Sequence, residues 1–234
     1  MATYDPVTIL YLCIVLGGMP VLGVRSYLRL KSGKPMPAKS RLYRGMIGTQ
    51  IVLLGYSVLV AKHNQVDLLG TPPAMWVWLI AAVYVALIAK RLRAAWKTMS
   101  AQRKQRARRL LPESLHDMRY WVVISLLAGI SEEFAFRGTA FVALRDLSGS
   151  MALAVTVCVI AFALAHILQG WRGVLGTGVI ALAMHLIVYM THGLYLAIAV
   201  HVCYDLIVGI IALRQFRLDG NPVAVQATPV SSGG

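Results

Sequence analysis

Seven apolar runs, near residues 7–24, 46–61, 74–89, 119–144, 151–168, 174–190 and 193–213, dominate what this chain can fold into. Each approaches or exceeds the roughly 20 residues that a helix needs to cross a bilayer. The sequence therefore predicts an all-α, polytopic membrane helix bundle of about 7–8 transmembrane helices. The run at 119–144 is long enough to tilt or break. Only 14% of the residues are charged against 58% hydrophobic, too few for a soluble domain of this size.

A net charge of +14 raises the question of nucleic acid, and the placement of the charge answers it. Seven Lys and Arg lie between Arg25 and Arg44 with no acid among them, and ten lie between Lys90 and Arg119. Threading seven spans from an outside N-terminus brings both connections, with Arg172, Arg214 and Arg217, to one side. Of the 23 basic residues, 20 then share that side, and only Lys62, Arg145 and Arg137 do not. This is the positive-inside asymmetry, so those loops read as cytoplasmic. Anionic lipid accounts for the Arg103–Arg109 run, no nucleic-acid partner is expected, and residues 90–111 are expected as a basic helix on the membrane surface.

The first run follows Asp5 with no basic residue, and no small-residue cleavage pattern comes after it; it is expected to be a retained span. Cys13, Cys158 and Cys203 are scattered through apolar runs and form no disulfide framework. Three regions follow: N-terminal membrane helices with two basic loops at 1–118, a membrane core at 119–214, and a disordered tail at 215–234 that includes Asn221–Gly234.

Inside the fourth run stands Ser-Glu-Glu-Phe-Ala-Phe-Arg-Gly, residues 131–138. Each charge near the centre of a membrane helix costs roughly 2.5–3.5 kcal/mol, whereas a Leu or Ile returns only about 0.3–0.6. Charges held at that penalty face a polar cavity and mark function. Glu133 and Arg137 are four apart and can pair along their own helix, as site-ordering residues. Glu132 projects about 100° away, without a local cation and open to water. A carboxylate so placed suits general acid–base chemistry. Two further pairs join it at helical spacing: Phe162 with His166, and His201 with Asp205, each on one face. Phe162 is expected to line the cavity beside His166. Such a set can hydrolyse an amide without a metal, cofactor or covalent intermediate. Cys203 points elsewhere on its helix, and no Ser or Thr sits four from a base within these groups. His185 and His192 read as helix–helix hydrogen-bonding residues.

Glu-Glu-x-x-x-Arg, then Phe-x-x-x-His, then His-x-x-x-Asp, in that order within membrane helices, resembles the CAAX protease and bacteriocin-processing family (CPBP, also called ABI), which includes the Ras-converting CAAX endopeptidases. The resemblance covers about residues 120–210. It implies an intramembrane glutamate protease with a helical bundle around a water-filled cavity. Glu132 would activate water, assisted by His166; His201 and Asp205 would line the oxyanion side; Glu133 and Arg137 would order the site. It further implies a membrane-associated protein or peptide substrate, prenylated in the CAAX case, and a location in a prokaryotic cytoplasmic membrane.

Asp205 stands where the CAAX proteases carry Asn. Asn donates a hydrogen bond to an oxyanion and an ionised Asp does not. Either Asp205 is protonated, or it orients His201. Two other classes compete. Glu132, His166, His201 and Asp205 are competent zinc ligands, although no His-Glu-x-x-His is present. Intramembrane Glu and His also build proton relays in transporters, and a non-catalytic immunity or scaffold protein could keep them for structure.

Overall fold

The computed structural model describes residues 5–33 and 35–219. The Asn221–Gly234 segment expected as a tail lies outside the described residues. The N-terminal span runs from Pro6 to Lys31 as α1 (Pro6–Leu12), a π-helical stretch Cys13–Gly18, and α2 (Met19–Lys31). Asp5 caps it by accepting from the Thr8 N–H at 3.1 Å, and Pro6 starts it where no N–H is needed. Pro20 has no N–H to donate back along the helix, and the wider turn immediately before it absorbs the mismatch. Next come α3 (Lys39–His63), α4 (Met75–Lys97) and the short α5 (Ala101–Leu110).

A capping box opens α6 (Leu115–Glu133): Ser114 accepts from the Asp117 N–H at 3.0 Å, and Asp117 accepts back from Ser114 N–H. The helix then continues unbroken through a π-helical stretch, Phe134–Thr139, into α7 (Ala140–Ser148). Gly149, at φ 65°, ends it, because a left-handed residue is needed there. The bundle is completed by α8 (Met151–Ala165), α9 (Trp171–Thr191) and α10 (Tyr195–Asp219). The last helix thus continues five residues into the segment expected as tail.

The described residues contain no strand, only an isolated bridge between Gly70 and Gly193. The fold is the all-α polytopic bundle that the sequence predicts. Five helical segments are long and apolar enough to cross a membrane: Pro6–Lys31, α3, α4, α9 and α10. The other two apolar runs became α8, which is apolar but short, and the α6–α7 rod, whose charges keep it below that threshold.

The rod is the hub, packing along both α3 and α10. Close approach needs missing side chains. A Cβ at Gly129 would collide with Val202 on α10, and one at Gly209 would collide with the Trp121 ring. Small residues serve membrane helix interfaces for this reason: without water to expel, association depends on close packing.

The ends of the bundle sort the loops. At one end Lys39 Nζ reaches Glu113 Oε1 at 2.6 Å, the Tyr43 hydroxyl donates to Leu110 O, and Lys104 Nζ lies 3.6 Å from Asp219. At the other, His63 Nε2 lies 3.0 Å from Asp5, Asn64 donates to Thr8 Oγ1, and the Leu194 N–H bonds Leu69 O. The two basic connections therefore share one end. Membrane-impermeant labelling of cysteines introduced at Pro35 and Gln105 is expected to report one face, and at Leu68 the opposite face. Opposite faces for Pro35 and Gln105 would sink this topology.

One expectation changes. Residues 90–111 are not a single surface helix. Residues 90–97 finish α4, the chain breaks at Thr98–Ser100, and α5 docks on the end of α10. Arg108 sits 4.7 Å from the Phe216 ring centroid there, so cation–π and ion-pair contacts hold α5 to protein.

Candidate active site

The Glu-Glu pair occupies the last turn of α6, where the π-helical stretch begins. At this widened turn Ala135 O accepts the Ala140 N–H, and the buried Tyr11 hydroxyl adds to it, lying 3.3 Å from Ala135 O and 2.9 Å from Ser57 Oγ. Thr139 Oγ1 in turn donates to Ser57 O at 3.0 Å. Such bulges persist at functional positions when surrounding groups fix them. Here α1 and α3 do so.

Glu133 is fully buried, with 0% of its surface exposed, and Arg137 is nearly so. Glu133 Oε1 accepts from Arg137 Nη1 at 3.2 Å, the pair expected from spacing. The same oxygen also accepts from His201 Nδ1 at 2.7 Å. Arg137 is held on two more sides: Nη2 donates to Ala181 O on α9, and Cζ sits 4.4 Å above the Phe162 ring.

Phe162 is buried between several rings. It meets Phe136 edge-on at 5.1 Å, leans on His166 at 4.6 Å, and turns an edge toward His201 at 6.4 Å. His166 follows the last residue of α8, and its Nδ1 lies 2.8 Å from the Phe162 carbonyl. A carbonyl only accepts, so Nδ1 carries the proton, and in the neutral ring Nε2 keeps its lone pair.

His201 takes the central position. With Nδ1 donating to Glu133, its Nε2 lies 3.8 Å from Glu132 Oε2 and 3.8 Å from Asp205 Oδ2. Both separations exceed a direct hydrogen bond and suit a small polar group bridging between them. Asp205 is anchored through its backbone, whose carbonyl accepts from Trp121 Nε1 at 2.8 Å. Beside it is a cavity of about 70 Å³, lined by Arg137, Phe162, His166, His201, Tyr204 and Asp205 with Tyr84 and Ile88 of α4. That volume suits a few waters and is far below the roughly 300 Å³ of a typical ligand site, so a peptide enters only if the helices around it part.

All seven residues singled out in the sequence come to this region, with three differences from the arrangement expected. Glu132 is not open on all sides: Gln50 Nε2 on α3 donates to its Oε1 at 2.7 Å. His201 is held by Glu133, not by its helix neighbour Asp205, because spacing of four brings the two together only to 3.8 Å. His166 makes no hydrogen bond or ion pair with Glu132 among the described residues; the connection runs through Phe162 and His201. His185 packs on the Phe141 ring and His192 caps α9 in a left-handed conformation. Cys13 and Cys203 are exposed, Cys158 is buried, and none is paired. Among the described residues, no three His, Cys, Asp or Glu side chains are disposed as a metal-ligand set.

Gln50 is the residue that motif reasoning missed. It stands alone as an amide in the apolar run 46–61, so the criterion that flagged the glutamates would also have flagged it.

The helices thus enclose a buried carboxylate–imidazole cluster. Residues 114–207 match the family described as Rce1-like, type II CAAX prenyl endopeptidase Rce1-like, and all three motifs lie inside that match. The match spans less than half of the chain and leaves α1 to α5 outside it. No curated protein and no solved structure matches the chain. Five spans and this family together make it an integral membrane protein.

Proposed function

We propose that the chain is a glutamate-type intramembrane endopeptidase that cleaves a membrane-associated protein or peptide with water activated by Glu132 and His166. The observation that carries this reading is the position of His201 Nε2, equidistant from Glu132 and Asp205 while Nδ1 is held by Glu133. In the proposed step Glu132 takes a proton from water, and the hydroxide adds to the scissile carbonyl. His166 Nε2, with its lone pair toward the cavity, assists that transfer. His201, protonated on both nitrogens with Nδ1–H held by Glu133, turns its Nε2–H and a protonated Asp205 toward the oxyanion, and the proton on Glu132 passes to the leaving amine as the C–N bond breaks. No step calls for a Lewis acid. The substrate class includes prenylated C-termini, the basic end faces the cytoplasm of a prokaryotic membrane, and its loops rest on anionic lipid.

The test uses protein reconstituted in liposomes with peptides carrying or lacking a C-terminal prenyl cysteine, with and without a chelator. Cleavage that persists in chelator and disappears in Glu132→Gln is expected. Stoichiometric zinc lost together with activity would instead promote the metalloprotease reading.

Asp205 supplies a second check. Since Glu133 already fixes the His201 ring, the role left for Asp205 is toward the oxyanion, where Asn donates without needing a proton. Asp205→Asn is expected to retain activity, while Asp205→Ala and His201→Ala each lose about 10²-fold or more, the scale of one oxyanion donor. Equal loss in Asp205→Asn and Asp205→Ala would show that the ionised carboxylate is required and favour a proton relay.

A further inference from the structure

We infer that Gln50, locked by Ser131, is a positioning residue that aims Glu132 at the reacting water. The inference rests on Glu132 being the base, and it adds a residue from a helix outside the family match. Gln50 is buried in α3, and Ser131 is fully buried beside Glu132 on α6. The Ser131 hydroxyl donates to Gln50 Oε1, and Gln50 Nε2 donates to Glu132 Oε1 at 2.7 Å.

The polarity of this chain runs one way. An ionised carboxylate only accepts, so the amide must present its NH₂ to Glu132. Its carbonyl then faces Ser131, and the hydroxyl satisfies it. An amide flip would set the carbonyl against the carboxylate, so Glu132 fixes the orientation of the amide and the Ser131 hydroxyl holds it in place by donating to Oε1. The two carboxylate oxygens are thereby divided: Oε1 is tied to α3, and Oε2 is left toward His201 Nε2. A glutamate side chain has three torsions to fix, and the bond from Gln50 restrains them. Small errors in such aim are expensive, since about 1 Å of misplacement can lower a rate 10²-fold. Gln50 reaches the site through its side-chain bonds to Glu132 and Ser131.

The discriminating variants are Gln50→Met, which keeps length and removes both hydrogen bonds, and Ser131→Ala, which keeps the amide and removes its lock. Each is assayed for kcat and KM in liposomes, below its own measured unfolding midpoint. Gln50→Met is expected to lower kcat about 10²-fold with KM unchanged. Ser131→Ala should lower kcat less, again at constant KM, and the double variant should be no worse than Gln50→Met, because both act through one chain of bonds. Additive losses, a rise in KM, or kcat restored on cooling in step with stability would overturn the inference. Should Gln50→Met fail to fold, Ser131→Ala with wild-type kcat overturns it alone. The two proposals fail separately: an active Glu132→Gln protein sinks the base itself, whereas an inactive Glu132→Gln beside a fully active Gln50→Met sinks only the positioning role.

Discussion

Glu132→Gln is expected to lose proteolysis by about 10²–10⁴-fold while unfolding at nearly the wild-type temperature. The two halves of that result have separate causes. A glutamine at 132 keeps the shape and one carbonyl oxygen, so it still accepts from Gln50 Nε2, and little packing is lost. It cannot take a proton from water, so the chemistry stops. His166→Ala should behave alike, because His166 lies past the end of α8 and its main structural bond is to a local carbonyl. The measurement pairs initial cleavage rates in liposomes with thermal midpoints for each protein. Wild-type turnover in Glu132→Gln would remove the glutamate mechanism; a large drop in its midpoint would mean that this carboxylate is chiefly structural.

Glu133→Ala should give the opposite pattern, losing stability first. Its carboxylate is fully buried and shared between Arg137 and His201. Deleting it leaves a guanidinium in an apolar interior, where breaking a buried pair costs about 3–5 kcal/mol. The cost is aggravated because Arg137 Nε already lacks a partner among the described residues. Arg137→Ala should be similarly destabilised. The two differ at His201. Without Glu133 the ring loses its 2.7 Å acceptor, so surviving Glu133→Ala protein should also turn over slowly. Arg137→Ala keeps that bond, and its folded fraction should be the more active. Denaturation midpoints with activity per folded molecule separate these outcomes. Equal activity per folded molecule would show that Glu133 does not orient His201.

Much of this was written into the local sequence. Apolar run length selects membrane helices, since a backbone in lipid must satisfy its own hydrogen bonds. The two clusters of Lys and Arg mark one end of the bundle. The penalty for charge in lipid points to Glu132, Glu133 and Arg137, and spacing of four pairs Glu133 with Arg137 at 3.2 Å. These are properties of one helix or one composition, so no knowledge of the fold is required.

Contacts between helices were beyond that reach. Spacing of four places His201 and Asp205 on a common face, yet the imidazole hydrogen-bonds Glu133 from another helix, 68 positions away, because two side chains one turn apart need not meet closely. Gln50 on Glu132, Tyr11 and Ser57 at the widened turn, and Trp121 on the Asp205 carbonyl all come from residues that no motif links to the site. The sequence determined which residues lipid would not tolerate without a purpose. Only the packed bundle decided which of them touch, because a hydrogen bond depends on interhelical distances of a few ångströms that close packing at positions such as Gly129 sets and no periodicity encodes.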